Sequence, residues 1–208
     1  MTRWNVIADA ITFLQLIRAS RPIGTRDAAR VSNIKRAGLA MQTIRPAIES
    51  DADLLPEIER SSGETFCQIP ALAWIADDDV QTADRHRVLI SRGSSWVATV
   101  DRDVFGFLSA ERHGEMLHIW QMAVHFEHQG KGLGRALIDA ARQWAKARSL
   151  SSLTLTTFRD VPWNAPFYES CGFALVAPDS SPFLKNVLEA EKKAGLPIEA
   201  RCAMMLKL

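Results

Sequence analysis

The sequence predicts an α/β chain of mixed order (α+β mixed), a mixed sheet with helices on its faces. Three observations carry the prediction. Three consecutive runs, roughly Ser95 to Val100, Val104 to Glu111 and Glu115 to His125, alternate apolar and polar residues in the strand manner, with "DRD" and "RHGE" as the turns between them. Directly after them, Leu133, Leu137, Ile138, Ala141, Trp144 and Ala145 recur on one helical face, with Arg135, Asp139, Arg142 and Lys146 outside it. The β-branched run "SSLTLTTF" follows, so an antiparallel meander passes into a strand–helix–strand unit.

The other elements fit around this centre. Gln42 to Arg45 reads as a short strand, and Pro46 leads into a helix with an acidic first turn. The segment "SSGETFCQIPALAWIADDD" mixes turn and apolar residues and reads as a loop or broken helix over a cleft. Its Asp77, Asp78, Asp79 run reads as a solvated turn or helix cap. Gln81 to Ser91 suits a helix. "VPWNAPFYESCGF" predicts a short helix closed by Gly172, and "FALVA" a strand. "SPFLKNVLEAEKKAG" predicts a helix opened by Ser181 and Pro182 and closed by Gly195, with "RCAMMLKL" as a final strand.

A length of 208 residues favours one domain of ordinary size, and a hydrophobic fraction of 47% supplies its core. The domain is expected to occupy residues 41–208. Residues 1–40 differ in charge: Arg3, Arg18, Arg21, Arg26, Arg30, Lys35 and Arg36 stand against Asp9 and Asp27. With the amphipathic stretch "WNVIADAITFLQLIRA", they read as a basic N-terminal extension, loosely ordered; a targeting segment or an overlong start are the competing readings. The net charge of +1 gives no electrostatic reason to expect nucleic acid or membrane as a partner. Cys67, Cys171 and Cys202 form no CxxC or Cys/His cluster, so neither a metal site nor a disulfide framework is expected, and a reducing, cytoplasmic setting fits. No apolar run approaches the ~20 residues that a membrane span needs.

The functional signal lies between the third strand and the helix, in "QGKGLG" (Gln129, Gly130, Lys131, Gly132, Leu133, Gly134). Unpaired amides and the dipole at a helix start favour anions, and glycine removes the β-carbons that would hold a pyrophosphate away. Lys131 and Arg135 add positive charge at the same end. The stretch lacks the GxxxxGK and Ser/Thr of a nucleotide P-loop. It also lacks the third glycine and the ribose-binding acid of a dinucleotide fingerprint.

A second motif lies about thirty residues downstream, in "WNAPFYESCGF". The pair, Q-x-x-G-x-G followed by Asn164, Tyr168, Gly172 and Phe173 in the spacing N-x-x-x-Y-x-x-x-G-F, resembles the GNAT superfamily of acetyl-CoA-dependent N-acetyltransferases. The resemblance runs from about Thr43 to Leu208 and implies a GNAT fold, a twisted mixed sheet of about seven strands with flanking helices. It also implies the function: transfer of an acetyl group from acetyl-CoA, a cosubstrate, to a primary amine by direct attack. In the family the strand before the glycine loop splays from its neighbour, and the pantetheine arm of CoA lies in the gap. The resemblance places its backbone contacts at Met122 and Val124, the pyrophosphate on the amides of Gln129 to Arg135, and an oxyanion donor at the amide near Met122.

Amine attack on a thioester needs a neutral amine and a proton for the departing thiolate. Tyr168, the chain's one tyrosine, matches the family tyrosine that reaches the CoA sulfur. Asn164 matches a position that either bonds the CoA arm or caps the helix. His118 falls where many relatives place a glutamate base; a histidine there can relay a proton near neutral pH, with structural hydrogen bonding as its competing role. Trp120 and Gln121 stand where similar sequences often carry acids, so Trp120 is expected to shape the acceptor pocket. Arg159 and Trp163 at the end of the following strand, with Phe66 from the covering segment, would suit a small, partly apolar amine bearing an anion. A small-molecule or peptide amine is thus the expected partner, without nucleic acid or membrane; a homodimer is compatible with the sequence. The rival reading is a non-catalytic acyl-CoA-binding sensor or interaction module on the same fold.

Overall fold

The computed structural model describes residues 41–208. The basic extension, with its amphipathic stretch, lies outside the described residues. The chain enters as strand β1 (Gln42–Pro46) and makes a 3₁₀ turn at Glu49–Asp51 before helix α1 (Leu55–Gly63). The acidic turn expected after Pro46 is therefore this 3₁₀ turn. The α-helix starts where Pro56 falls in its first turn, the one place a residue without an N–H costs no helical bond. Asp51 fixes the entry: its carboxylate accepts from Arg45 Nη1 and Nη2 at 2.7 and 2.8 Å, and from the Ile48 amide at 2.8 Å.

The broken-helix segment consists of two 3₁₀ stretches, Glu64–Gln68 and Pro70–Asp77. Helix α2 (Ala83–Ser91) follows, capped by Thr82 Oγ1, which accepts from the Arg85 amide at 3.2 Å. The meander is strands β2 (Ser95–Val100), β3 (Asp103–His113) and β4 (Met116–Val124). Helix α3 (Leu133–Lys146), strand β5 (Ser152–Phe158), helix α4 (Ala165–Ser170), strand β6 (Ala174–Val176), helix α5 (Pro182–Lys193) and strand β7 (Arg201–Lys207) complete the described chain.

The seven strands form one mixed sheet in the order β1-β2-β3-β4-β5-β7-β6. Strand alternation divides its core between two faces. Trp96, Leu108, Leu117 and Leu153 pack with Leu133, Leu137, Ile138 and Ala141 of α3 on one face. Val97, Phe107 and Ala123 pack with Leu55 and Ile58 of α1 on the other. Trimming the fully buried Leu137 to alanine would cost about 2–5 kcal/mol, as such cavities do. Among the described residues no helix is long and apolar enough to cross a membrane, and no cluster of His, Cys, Asp and Glu is arranged to hold a metal ion.

One join in the sheet sets the site. Strands β4 and β5 are parallel and pair only through Met116↔Ser152, Leu117↔Leu153 and His118↔Thr154. On its other edge β4 stays paired with β3 as far as Gly106↔Val124. The β3–β4 register steps from Ala110↔Ile119 to Ser109↔Gln121, which leaves Trp120 as an extra residue on β4. A bulge bends its strand and sharpens the local twist. It falls directly after the last β4–β5 rung, so β4 turns away from β5 there and a wedge-shaped gap opens.

Candidate active site

The gap continues into a cavity of about 860 Å³, within the range of small-ligand sites. Its walls come from the diverging ends of β4 and β5, the glycine loop, α4, and the helical segments over the sheet. In an antiparallel ladder, alternate residues turn their backbone groups outward. The His125 amide bonds the Phe105 carbonyl at 2.8 Å, so Ala123 bonds toward β3 while Met122 and Val124 point their N–H groups away, into the gap. Both line the cavity.

The glycine loop ends at Gly132, the N-cap of α3, in a left-handed conformation with φ of 88°; Gly130 has φ of 71°. Among the described residues a β-carbon on either would meet no atom within 4 Å, so these residues leave open space over the amides that start α3. Gly134 works differently. A β-carbon there would lie 3.3 Å from the tip of the Phe167 ring and 3.8 Å from Met122 Cε, so its absence lets α4 and β4 approach the helix start.

The loop's side chains depart in part from expectation. Gln129 is turned inward: its amide donates to the Val124 carbonyl at 3.0 Å, and its Oε1 accepts from Thr65 Oγ1 at 3.0 Å. It holds the loop to the end of β4. The side chain of Lys131 is exposed and outside the cavity wall; its carbonyl accepts from Gln42 Nε2 at 3.5 Å. Arg135 lines the cavity and also ties α3 to α4, donating to the Ser170 carbonyl and to Ser170 Oγ, each at 2.9 Å.

On α4, Asn164 is the N-cap residue but its side chain makes no capping bond, and it lines the cavity. Tyr168, one helical turn on, lines the cavity as well, its ring edge-on to Phe167 at 5.3 Å and Phe173 at 5.6 Å. Burial pushes its phenol pKa up, so the O–H is a proton donor throughout the neutral range. Phe66 and Trp163 meet edge-on at 5.7 Å, and Phe66 packs on Phe158 at 5.9 Å, making an aromatic wall at the far end.

Two further expected site residues lie outside the cavity wall. His118 is 1% exposed and lies outside the cavity wall. Its Nδ1 is 3.0 Å from Thr154 Oγ1, and its ring is boxed by Trp120 at 4.4 Å and Phe183 at 5.0 Å. Burial, with the nearby charge of His113, pushes its pKa down to about 3, so the ring is neutral in the physiological range. Its setting is that of a structural residue at the strand junction. Arg159 is exposed and also outside the wall; its Nη2 donates to the Arg201 carbonyl at 3.5 Å. The arginine that lines this end of the cavity is Arg201. Its guanidinium grips Glu191 through Nε at 2.9 Å and Nη2 at 2.7 Å, and Thr156 Oγ1 donates to the same carboxylate at 2.5 Å. Trp120 lines the cavity, and its Nε1 donates to Glu111 Oε2 at 3.2 Å.

The residue missed from sequence is Glu59, on α1, which lines the cavity with its side chain 14% exposed. Its Oε1 accepts from Gln121 Nε2 at 3.0 Å and its Oε2 from the Gln81 amide at 3.2 Å. Burial raises its pKa from 4.5 to about 7, against the smaller lowering effects of the Gln81 bond and Arg60. The available signal was spacing: Glu59 is four residues after the fully buried Leu55 and next to Ile58, on the helix face turned to the sheet.

A sheet splayed beside a glycine-capped helix start, with a tyrosine across the gap, defines a class. Residues 60–173 match the model of the acetyltransferase (GNAT) family, which is more than half of the chain, and the protein belongs to that family. Within it, the chain is 26% identical over 103 residues to a streptothricin acetyltransferase of Escherichia coli, covering 49% of this chain and 54% of the relative; the match spans about half the relative's length. The fold is similar to that of the PaiA N-acetyltransferase of Thermoplasma acidophilum in complex with coenzyme A, with a TM-score of 0.60 and 17% identity over 81% of this chain and 99% of that one. It is likewise similar to the ribosomal-protein-S18-alanine N-acetyltransferase of Escherichia coli, with a TM-score of 0.58 and 17% identity over 80% and 94% of the two chains.

Proposed function

We propose that the protein moves an acetyl group from acetyl-CoA to a primary amine of a small-molecule or peptide acceptor. The observation that carries this is the three-rung junction of β4 and β5, which opens the N–H groups of Met122 and Val124 onto a cavity that also contains the glycine-capped start of α3. Family membership supports it, and so do relatives whose names specify acetylation of streptothricin and of a ribosomal-protein alanine.

Acetyl-CoA suits these residues because a linear arm rich in amides can bond the exposed edge of β4, and a pyrophosphate can use the uncovered amides before α3. It supplies the activated thioester carbonyl. Met122 N–H is the proposed oxyanion donor: a fixed backbone dipole needs no reorganisation as charge develops. Tyr168 is the proposed proton donor to the sulfur, and Asn164, freed from capping, a polar contact for the arm. Phe66, Trp163 and Trp120 would bound the acceptor's apolar part.

The test is thiol release by the full chain, given acetyl-CoA and a panel of small and N-terminal peptide amines. Release above the amine-free blank supports the proposal. Binding of acetyl-CoA with no release across the panel would overturn it and point to a sensor.

A further inference from the structure

We propose that Glu59 is the catalytic base, held beside the reacting centre by Gln121 and Gln81. The assignment rests on the acetyl-transfer function proposed above. Three observations carry it. First, Glu59 lines the cavity from α1, on the sheet face opposite α3. Second, the Gln121–Glu59 hydrogen bond at 3.0 Å anchors the carboxylate to β4 one residue before Met122, whose amide faces the gap. The base and the proposed oxyanion donor thus share one short piece of strand, and a proton acceptor is wanted near that donor. Third, behind the carboxylate lies His86, fully buried and edge-on to Phe107 at 4.9 Å. Its Nδ1 is 2.9 Å from Gln81 Nε2, which can only donate, so the ring proton sits on Nε2. Among the described residues that Nε2 has no hydrogen-bond partner, and it lies 3.9 Å from Glu59 Oε2. A buried donor 3.9 Å from a carboxylate favours the ionised form when the side chain shifts toward it.

Among the described residues, the charged groups that line the cavity beside Glu59 include Arg60, Arg85, Asp78 and Asp79. His86 comes from α2 and is kept neutral by burial, its pKa pushed down to about 4 with help from Arg85; Arg60 is on Glu59's own helix. β4 presents the neutral Gln121, and the segment before α2 the neutral Gln81. The raised carboxyl pKa, about 7, lets Glu59 hold and release a proton at neutral pH.

The acceptor's ammonium loses two protons over the reaction. The first passes to the Glu59 carboxylate and from there to solvent, leaving a neutral amine whose lone pair forms the C–N bond. As the C–S bond breaks, the thiolate takes a proton from Tyr168, and the nitrogen's second proton restores the phenol. One proton is released for each amide and thiol formed.

The experiment compares kcat/KM against pH for wild type, Glu59→Gln and Glu59→Asp, using the best amine from the panel, with acetyl-CoA affinity measured by calorimetry. Wild type should rise through an inflection near pH 7. Glu59→Gln should lose at least 100-fold at pH 7.5 and lose that inflection, with unchanged acetyl-CoA affinity; Glu59→Asp should keep the inflection at reduced rate. Equal rates and profiles in wild type and Glu59→Gln would overturn the assignment while leaving acetyl transfer intact. A wild type that turns over no amine would instead remove the function on which it rests. Loss of acetyl-CoA affinity in both variants, with the inflection retained, would make Glu59 a structural residue and overturn the base role.

Discussion

His118 and Thr154 face each other across the last rung that joins β4 to β5, with His118 Nδ1 3.0 Å from Thr154 Oγ1. Both are buried, and beyond them the two strands part. The pair therefore closes the apex of the gap. Thr154→Val keeps the shape and removes the hydrogen-bond partner. It should lower stability by about 1–3 kcal/mol, the cost of an unsatisfied buried group. Thermal melting measures that loss, and the pH dependence of kcat/KM should be unchanged.

Replacing Tyr168 by phenylalanine tests the proposed acid. The ring keeps its contacts with Phe167 and Phe173, so acetyl-CoA affinity should hold. Turnover should fall roughly 100-fold, in the range of general-acid effects. Single-turnover thiol release separates this from slow product departure.

The glycines should respond according to their different settings. Gly132→Val places a β-branched residue at φ of 88°, costing about 1–2 kcal/mol, and covers the amides at the start of α3. Gly134→Val drives its side chain into Phe167. Both should weaken acetyl-CoA binding at least tenfold by calorimetry. With Gly134→Val the change in near-ultraviolet circular dichroism should be the larger, because the aromatic packing of α4 moves.

The aromatic wall predicts acceptor effects without cosubstrate effects. Phe66→Ala and Trp163→Ala should raise the acceptor KM several-fold while acetyl-CoA affinity stays constant. Arg159→Ala should change neither, because its side chain lies outside the cavity.

Stability should carry opposing pH slopes. His86 and His118 are neutral in the fold, with pKa values of about 4 and about 3. The unfolded chain takes up protons below about pH 6.5 that the fold refuses, so stability falls as pH drops through that window. Glu59 has the opposite sign: the fold keeps a proton that the unfolded chain has lost, so its contribution falls as pH rises from 4.5 to about 7. Glu59→Gln should therefore gain on wild type between pH 5 and pH 8, by up to about 3 kcal/mol in urea unfolding.

The sheet was legible because its signals are local. Alternation from Ser95 to His125 and the apolar face from Leu133 to Ala145 each need only a short window. The glycine loop was legible for the same reason, since Gly130 and Gly132 hold conformations that other residues avoid. What was hidden depends on distant partners. Nothing near Trp120 marks it as the extra residue of a bulge, because a bulge is a relation between two strands. His118 looked like a base because its neighbours Thr154 and Phe183 come from elsewhere in the chain. Glu59 carries no mark of its own in the sequence; its raised pKa arises only when the fold buries it, against the lowering effect of the Gln81 amide. Arg201 lines the cavity where Arg159 was expected, because β7 inserts between β5 and β6.

Three rungs are a slender seam for a seven-stranded sheet. Mechanically the molecule is two plates, β1 to β4 and β5 with β7 and β6, hinged at His118 and Thr154 and strapped underneath by α3, whose residues pack with both plates. A molecule threaded between the plates would supply rungs that the protein leaves out. Cosubstrate would then act as an eighth strand, and its arrival should register as slowed amide exchange at Met122 and Val124.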